Sequence, residues 1–243
     1  MWCATHNAWF TGQSCGWLRS HSRIFPWQVG IRKKVETRGY KYTKAYCGGT
    51  ILNRKWVLTA SHCFPNGRKH KYLLRFADHN NLKVEEGEQE FDFDLLIKHE
   101  LYSGRPRYDY DIALIRIKPK NGKYLEYSDK AQPACLPSPS LNTDTLYNCF
   151  VSGWGRLANY QYPKKLQGAD VPVITRENCV GMYKANAFTE RMLCAGFESG
   201  GIDTCQGDSG GPLVCNVNGT HTVIGATSWG NDCGRPNSPG VYA

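Results

Sequence analysis

No run of 18 or more apolar residues occurs in the 243-residue chain, so the sequence offers no helix able to cross a bilayer. The opening MWCATHNAWF lacks the basic start and apolar stretch of a secretory signal, and the chain reads as soluble and as a piece of something longer. Its cysteines never fall in the Cys-x-x-Cys pairs that hold zinc. Internal repeats and low-complexity segments are also missing, which leaves one large domain or two small ones. Helical periodicity is scarce, with two brief candidates: Ala60–Phe64, and Arg176–Lys184, which Thr175 is placed to cap.

What the chain does contain is short β-prone stretches: Thr50–Leu58, Tyr72–Phe76, Ile112–Ile117, Cys149–Trp154, Pro212–Val217 and Thr222–Trp229. Turn-rich clusters such as Pro65-Asn66-Gly67 and Lys120-Asn121-Gly122 separate them, the punctuation of an all-β sandwich or barrel. The proline-rich segment Gln132–Ser140 lies near the middle and is placed to join two β units. Residues 1–22 carry few β signals and read as a tail or the remnant of an upstream module, with residues 23–243 as the main domain.

Eleven singly scattered cysteines indicate a disulfide framework and a location outside the reducing cytosol. An odd total leaves at least one without an intrachain partner, and Cys3 is the candidate. The net charge of +9 is spread over Arg32-Lys33-Lys34, Arg68-Lys69, Lys118–Lys123 and Lys164-Lys165. No aromatic-interleaved nucleic-acid motif accompanies it, so a solvated basic surface is expected and nucleic acid is not a predicted partner.

Three segments carry chemistry. In Leu58-Thr59-Ala60-Ser61-His62-Cys63 a histidine sits beside a cysteine; taken alone, such a histidine is more often an ordinary surface or core residue. In Asp109-Tyr110-Asp111-Ile112-Ala113-Leu114 an acid precedes an apolar, strand-like run, where a buried carboxylate needs a partner such as an imidazole N–H. Asp111 is nearest that run and Asp109 is the competing choice. In Cys205-Gln206-Gly207-Asp208-Ser209-Gly210-Gly211-Pro212 glycines bracket one serine, so that Gly207 and Ser209 can aim backbone N–H groups at one point. A polar turn would explain the glycines and the aspartate but not all eight positions together.

In the order His, Asp, Ser these segments resemble the chymotrypsin family of serine proteases, the family whose triad is the general template for this chemistry. The resemblance runs from Phe25 to the last residue and includes Pro26-Trp27-Gln28-Val29, Cys47-Gly48-Gly49-Thr50, Ser152-Gly153-Trp154-Gly155, Ser228-Trp229-Gly230 and Pro239-Gly240-Val241-Tyr242. It implies an all-β fold of two antiparallel six-stranded β-barrels with the active site in the cleft between them. It implies Ser209 as nucleophile, His62 as general base, Asp111 orienting the imidazole with Ser228 behind it, and an oxyanion hole at Gly207 and Ser209. Asp203 would lie at the base of a pocket lined by Gly230 and Gly240 and select Arg or Lys. The implied disulfides are Cys47–Cys63, Cys149–Cys215, Cys179–Cys194, Cys205–Cys233 and Cys15–Cys135.

The resemblance further implies a secreted endopeptidase acting on protein or peptide substrates through an acyl-enzyme, with serpin or Kunitz-type inhibitors and covalently attached upstream modules as partners. Tyr108–Leu114 and Arg191–Gly196 lean toward mosaic proteases of the neurotrypsin kind.

The chain departs from the family at two places. Activation would cut after Arg23 and free the amine of Ile24 to pair with Asp208, but Ile24 runs straight into Phe25-Pro26-Trp27, leaving too little chain for that reach. The alternative expectation is therefore a silent, zymogen-like protease fold acting as a binding module. The chain also ends at Ala243, where the family continues into a C-terminal helix, so a domain cut short at that end is expected. No cofactor is expected; the acidic loop Asp78–Glu90 resembles the calcium loop of some relatives, with a different length and ligand order. Asn218-Gly219-Thr220 is a glycosylation sequon on an expected surface loop.

Overall fold

The computed structural model describes residues 18–19, 25–37, 40–104, 108–183 and 187–243, with backbone alone at 18–19, 35–37 and 40–43. Two antiparallel sheets make up the molecule. The first holds β2 (Gln28–Thr37), β3 (Tyr40–Ile51), β4 (Trp56–Thr59), β5 (Tyr72–Phe76), β6 (Gln89–Phe91), β7 (Phe93–Lys98) and β8 (Ala113–Ile117) in the order β6-β5-β2-β3-β4-β8-β7. Its two outer strands, β6 and β7, are separated by Asp92 alone, so they are halves of one bent strand and the sheet curls into a six-stranded barrel.

The second sheet repeats the device. It holds β1 (Leu18–Arg19), β9 (Cys149–Gly153), β10 (Gln167–Val171), β11 (Val173–Ile174), β12 (Leu193–Ala195), β13 (Pro212–Val217), β14 (Thr220–Trp229) and β15 (Gly240–Tyr242). Their order is β1-β10-β9-β13-β14-β15-β12-β11. Only Pro172 divides β10 from β11; lacking an N–H, it interrupts the ladder where the strand passes from one edge of the sheet to the other. Six strands again close a barrel, and the two-residue β1 adds to it by pairing Leu18 with Gly168. The region read from sequence as a tail thus contributes its residues 18–19 to the sheet, and the rest of that tail lies outside the described residues.

Each barrel has its own core. Val29, Ile31, Leu74, Phe76, Ile115 and Ile117 fill the first, and Val151, Ala169, Leu213 and Tyr242 the second. Between them Phe25, Trp27, Leu58, Trp154, Leu166 and Val214 form a shared apolar layer. Polar bonds cross there as well: Ser152 Oγ donates to Gln28 Oε1 at 2.7 Å and Trp154 Nε1 donates to His79 O at 3.2 Å. Burying these bonds beside apolar side chains fixes the barrels against each other, which sets the width of the cleft between them.

The sequence-level stretch Thr50–Leu58 divides into the end of β3 and the whole of β4, because Asn53 turns the chain, its Oδ1 accepting from Lys55 N and Trp56 N. Arg176–Met182 forms the helix α1, with Thr175 Oγ1 accepting from Asn178 N as its cap. The expected helix ran on to Lys184, which lies outside the described residues. Ala60–Phe64 proves to be a single 3-10 turn, Ser61–Cys63. Disulfides Cys47–Cys63, Cys149–Cys215, Cys179–Cys194 and Cys205–Cys233 are formed. Cys135 is also disulfide-bonded, while Cys3 and Cys15 lie outside the described residues.

Candidate active site

His62 is carried on the turn that follows β4 and is tied by its neighbour Cys63 to β3. Asp111 sits just before β8 and is completely buried. A buried carboxylate must find donors, and Asp111 finds three. One oxygen accepts from the backbone N–H of His62 at 2.8 Å. The other lies 2.6 Å from His62 Nδ1 and accepts from Ser228 Oγ at 2.6 Å. With Nδ1–H directed at the acid, the Nε2 lone pair is left facing the cleft. Ser61 Oγ adds a bond to Ile112 O at 2.7 Å, locking the histidine turn to the segment bearing the acid.

Ser209 comes from the second barrel, yet its backbone is pressed onto the first. Gly48 N donates to Ser209 O at 2.7 Å, and Cys63 Sγ is 3.6 Å from the same oxygen. The neighbouring Gly210, at φ +73°, is required by space: a Cβ there would stand 2.2 Å from Thr59 Oγ1 and 3.0 Å from Ala60 N, the residues leading into His62. Among the described residues no hydrogen bond joins Ser209 Oγ to His62 Nε2; in unliganded sites of this kind that contact is commonly loose.

Gly207 adopts φ +104°, and Gln206 O is drawn aside as the acceptor of Arg156 N at 2.9 Å. Among the described residues the N–H groups of Gly207 and Ser209 have no acceptor. Asp208 is drawn the other way, accepting from Gly155 N at 2.7 Å and Cys205 N at 2.9 Å, and it faces a small cavity bounded by Gly153 and Gly168. Burial pushes Asp208 up to about 6 despite those two bonds.

Beside Ser209 opens a cavity of about 120 Å³ whose walls include Ser228, Trp229, Gly230 and Gly240. Asp203 stands in it, accepting from Thr204 N at 2.8 Å and Gly234 N at 3.0 Å. Gly240 has no room for a side chain, since a Cβ would lie 2.8 Å from Asp203 Oδ1. Burial raises Asp203 to about 6, with the nearby charge of Asp208 adding to the rise and the backbone N–H groups opposing it.

A family model described as Trypsin matches residues 18–243. The chain belongs to the trypsin family of serine-type endopeptidases. It is 36% identical over 222 residues to coagulation factor XI from Bos taurus, an alignment that takes in 90% of this chain and 34% of that protein. The chain thus spans about a third of the length of that relative.

Other acids in this trypsin-family domain have different work. Asp109, the competitor of Asp111 at sequence level, instead accepts from Arg191 Nε at 2.9 Å, Arg191 Nη2 at 2.8 Å and Thr189 Oγ1 at 2.7 Å, pinning the acid-bearing loop to the second barrel. In the acidic loop, carboxylate oxygens of Asp78, Glu85 and Glu88 gather within 4.8 Å of one another. Arg32 holds Asp78 at 2.5 Å, and Arg75 lies 3.4 Å from Glu88 and 2.5 Å from Glu90. Burial pushes Glu88 up to about 7, with the nearby charge of Asp78 adding to the rise. Among the described residues Asp78 Oδ1 and both oxygens of Glu88 are buried without a hydrogen-bond partner, so what opposes a divalent ion at these carboxylates is the positive charge of Arg32 and Arg75 and not a lack of ligand oxygens. Arg23 and Ile24, the residues of the expected activation cut, lie outside the described residues. Two residues that sequence reading missed also stand here, Arg156 beside the oxyanion loop and Asp232 on the rim of the pocket. Their one sequence signal is an acid within Trp229-Gly230-Asn231-Asp232-Cys233, a stretch otherwise read only for its glycine.

Proposed function

We propose that this domain hydrolyses peptide bonds after Arg or Lys through an acyl-enzyme formed on Ser209. The observation that carries the reading is the bonded line from Ser228 through buried Asp111 to His62 Nδ1. With Nδ1 so held, Nε2 accepts the proton of Ser209 as Oγ attacks the scissile carbonyl carbon, and the resulting imidazolium is stabilised by Asp111. The oxyanion takes the N–H groups of Gly207 and Ser209, each donor worth roughly 3 kcal/mol in the transition state. His62 then returns the proton to the leaving amine, and water repeats the sequence to release the acid and restore Ser209. Asp203 pairs with the guanidinium or ammonium group of the substrate.

A second reading, a zymogen-like binding module, draws on how the chain enters the first barrel. The ring of buried Phe25 covers Gly168, and Phe25 O accepts from Gln28 N at 3.1 Å, so a single residue would separate this anchor from a cut at Arg23. The two free oxyanion donors favour the first reading. The disulfides and the likeness to a coagulation factor support an extracellular protein; as a catalytic module of a longer mosaic zymogen it would meet serpin or Kunitz-type inhibitors. Among the described residues no helix is long and apolar enough to cross a membrane.

The test is a matched set of chromogenic peptides that differ only in the residue before the bond. After cleavage at Arg23, the Arg and Lys peptides are expected to turn over at least about a hundredfold faster than the Phe and Asp ones, with Ser209→Ala reducing turnover by about a millionfold. Turnover that ignores that residue, or that survives Ser209→Ala, contradicts the reading.

A further inference from the structure

Asp232 has a backbone that its side chain does not favour. Its φ is +74°, a left-handed conformation natural to glycine and, among other residues, easiest for Asn and Asp. Such strain persists where the surroundings hold it, and here they hold a carboxylate at the lip of the pocket that ends in Asp203. Two guanidinium groups converge on it. Arg235 Nη2 is 3.0 Å from one oxygen and Arg156 Nη2 is 3.7 Å from the other.

These arginines come from opposite sides. Arg235 follows Asp232 by three residues on the same loop. Arg156 reaches across from the segment after β9, where its own N–H draws Gln206 O away from the oxyanion donors and its guanidinium rests over the Tyr160 ring at 5.0 Å. Its side chain is 26% exposed, against 66% for Arg235, so its charge is the less screened of the two. Without the carboxylate between them, both positive charges would stand unneutralised beside the pocket that ends in Asp203.

We infer that Asp232 is a specificity-setting residue: it cancels Arg156 and Arg235 at the mouth of the pocket and so lets a cationic side chain in. The inference rests on the reading of Asp203 as the site of an Arg or Lys side chain. Coulomb's law at the separations of a pocket rim puts the effect of one lost charge at about threefold to tenfold in affinity at low salt, shrinking to within about twofold at molar salt.

The experiment titrates p-aminobenzamidine, a cationic amidine that fluoresces when bound, against the full chain cleaved after Arg23, at low and at molar salt. Asp232→Asn keeps the turn, since Asn also tolerates positive φ, and is expected to weaken binding about threefold to tenfold at low salt only. Arg156→Gln in that background is expected to restore most of the loss, and Arg156→Gln alone, which leaves Asp232 less neutralised, to bind somewhat tighter than the wild type. The single arginine variant keeps the test decisive should Asp232→Asn fold poorly. An unchanged affinity in both single variants overturns the inference alone, as does a loss that neither salt nor Arg156→Gln reverses. Wild-type protein that takes up no amidine at all overturns the Asp203 reading and this inference with it.

Discussion

Burial raises Asp203 and Asp208 each to about 6, so between the ordinary carboxylate value and about 6 the folded domain binds protons on these carboxyls that the unfolded chain would have released. The sign follows directly. A carboxyl whose folded value is raised contributes most to stability below its unfolded value and loses that contribution as pH climbs through about 6. A bound cation reverses the cost for Asp203 by pairing with its ionised form, and below about 6 it must expel the proton first. The rise in melting temperature produced by benzamidine is therefore expected to be larger at a pH well above 6 than at one well below it, read by differential scanning fluorimetry. A pH-independent shift would show that the amidine does not meet Asp203. At this scale the sequence was informative where a motif was dense: all eight positions around Ser209 pointed one way. Asp232 and Arg156 were illegible because a loop acid and a loop arginine are ordinary, and only the fold puts them 3.7 Å apart.

Strands and loops show why some elements were legible and others were not. Tyr72–Phe76 and Pro212–Val217 read correctly because compact apolar runs stood between turn residues. β3 was read only at its end, since Gly48-Gly49 looks like a turn. Those glycines lie in the strand because Gly211 Cα would be 2.7 Å from a Cβ on Gly48, and Val57 Cγ1 2.8 Å from one on Gly49. β2 was legible only at its start, through the family resemblance at Pro26-Trp27-Gln28-Val29, because it passes into Arg32-Lys33-Lys34, yet Arg32 is buried, drawn in by Asp78. That arginine also governs the acidic loop, whose backbone joins the second barrel through Asn81 N to Lys164 O and Leu166 N to His79 O. With Arg32 in place, millimolar calcium is expected to leave the melting temperature unchanged, whereas Arg32→Met, which removes the charge neutralising Asp78, should gain a calcium-dependent rise. A rise in the wild-type protein would contradict neutralisation by the guanidinium.

Across the whole molecule, the first barrel joins His62 to Asp111, and the backbone of Ser209, from the second barrel, is bonded to Gly48 of the first. Gln28 bonding Ser152, Trp154 bonding His79 and Asp109 bonding Arg191 stitch the halves together around the cleft. The β class was legible from turn spacing, and the double barrel from the family resemblance; the closure at Asp92 and at Pro172 needed the paired register, which no local pattern contains. On the function proposed above, this assembly makes one serine hydroxyl far more nucleophilic than all others. Reaction with a fluorophosphonate, followed by peptide mass mapping, measures it most directly. Protein cleaved after Arg23 is expected to carry one phosphonyl group, on Ser209, and to lose it when benzamidine fills the pocket or when His62 is replaced by Ala. Cleaved, folded protein in which Ser209 stays unmodified would contradict the account.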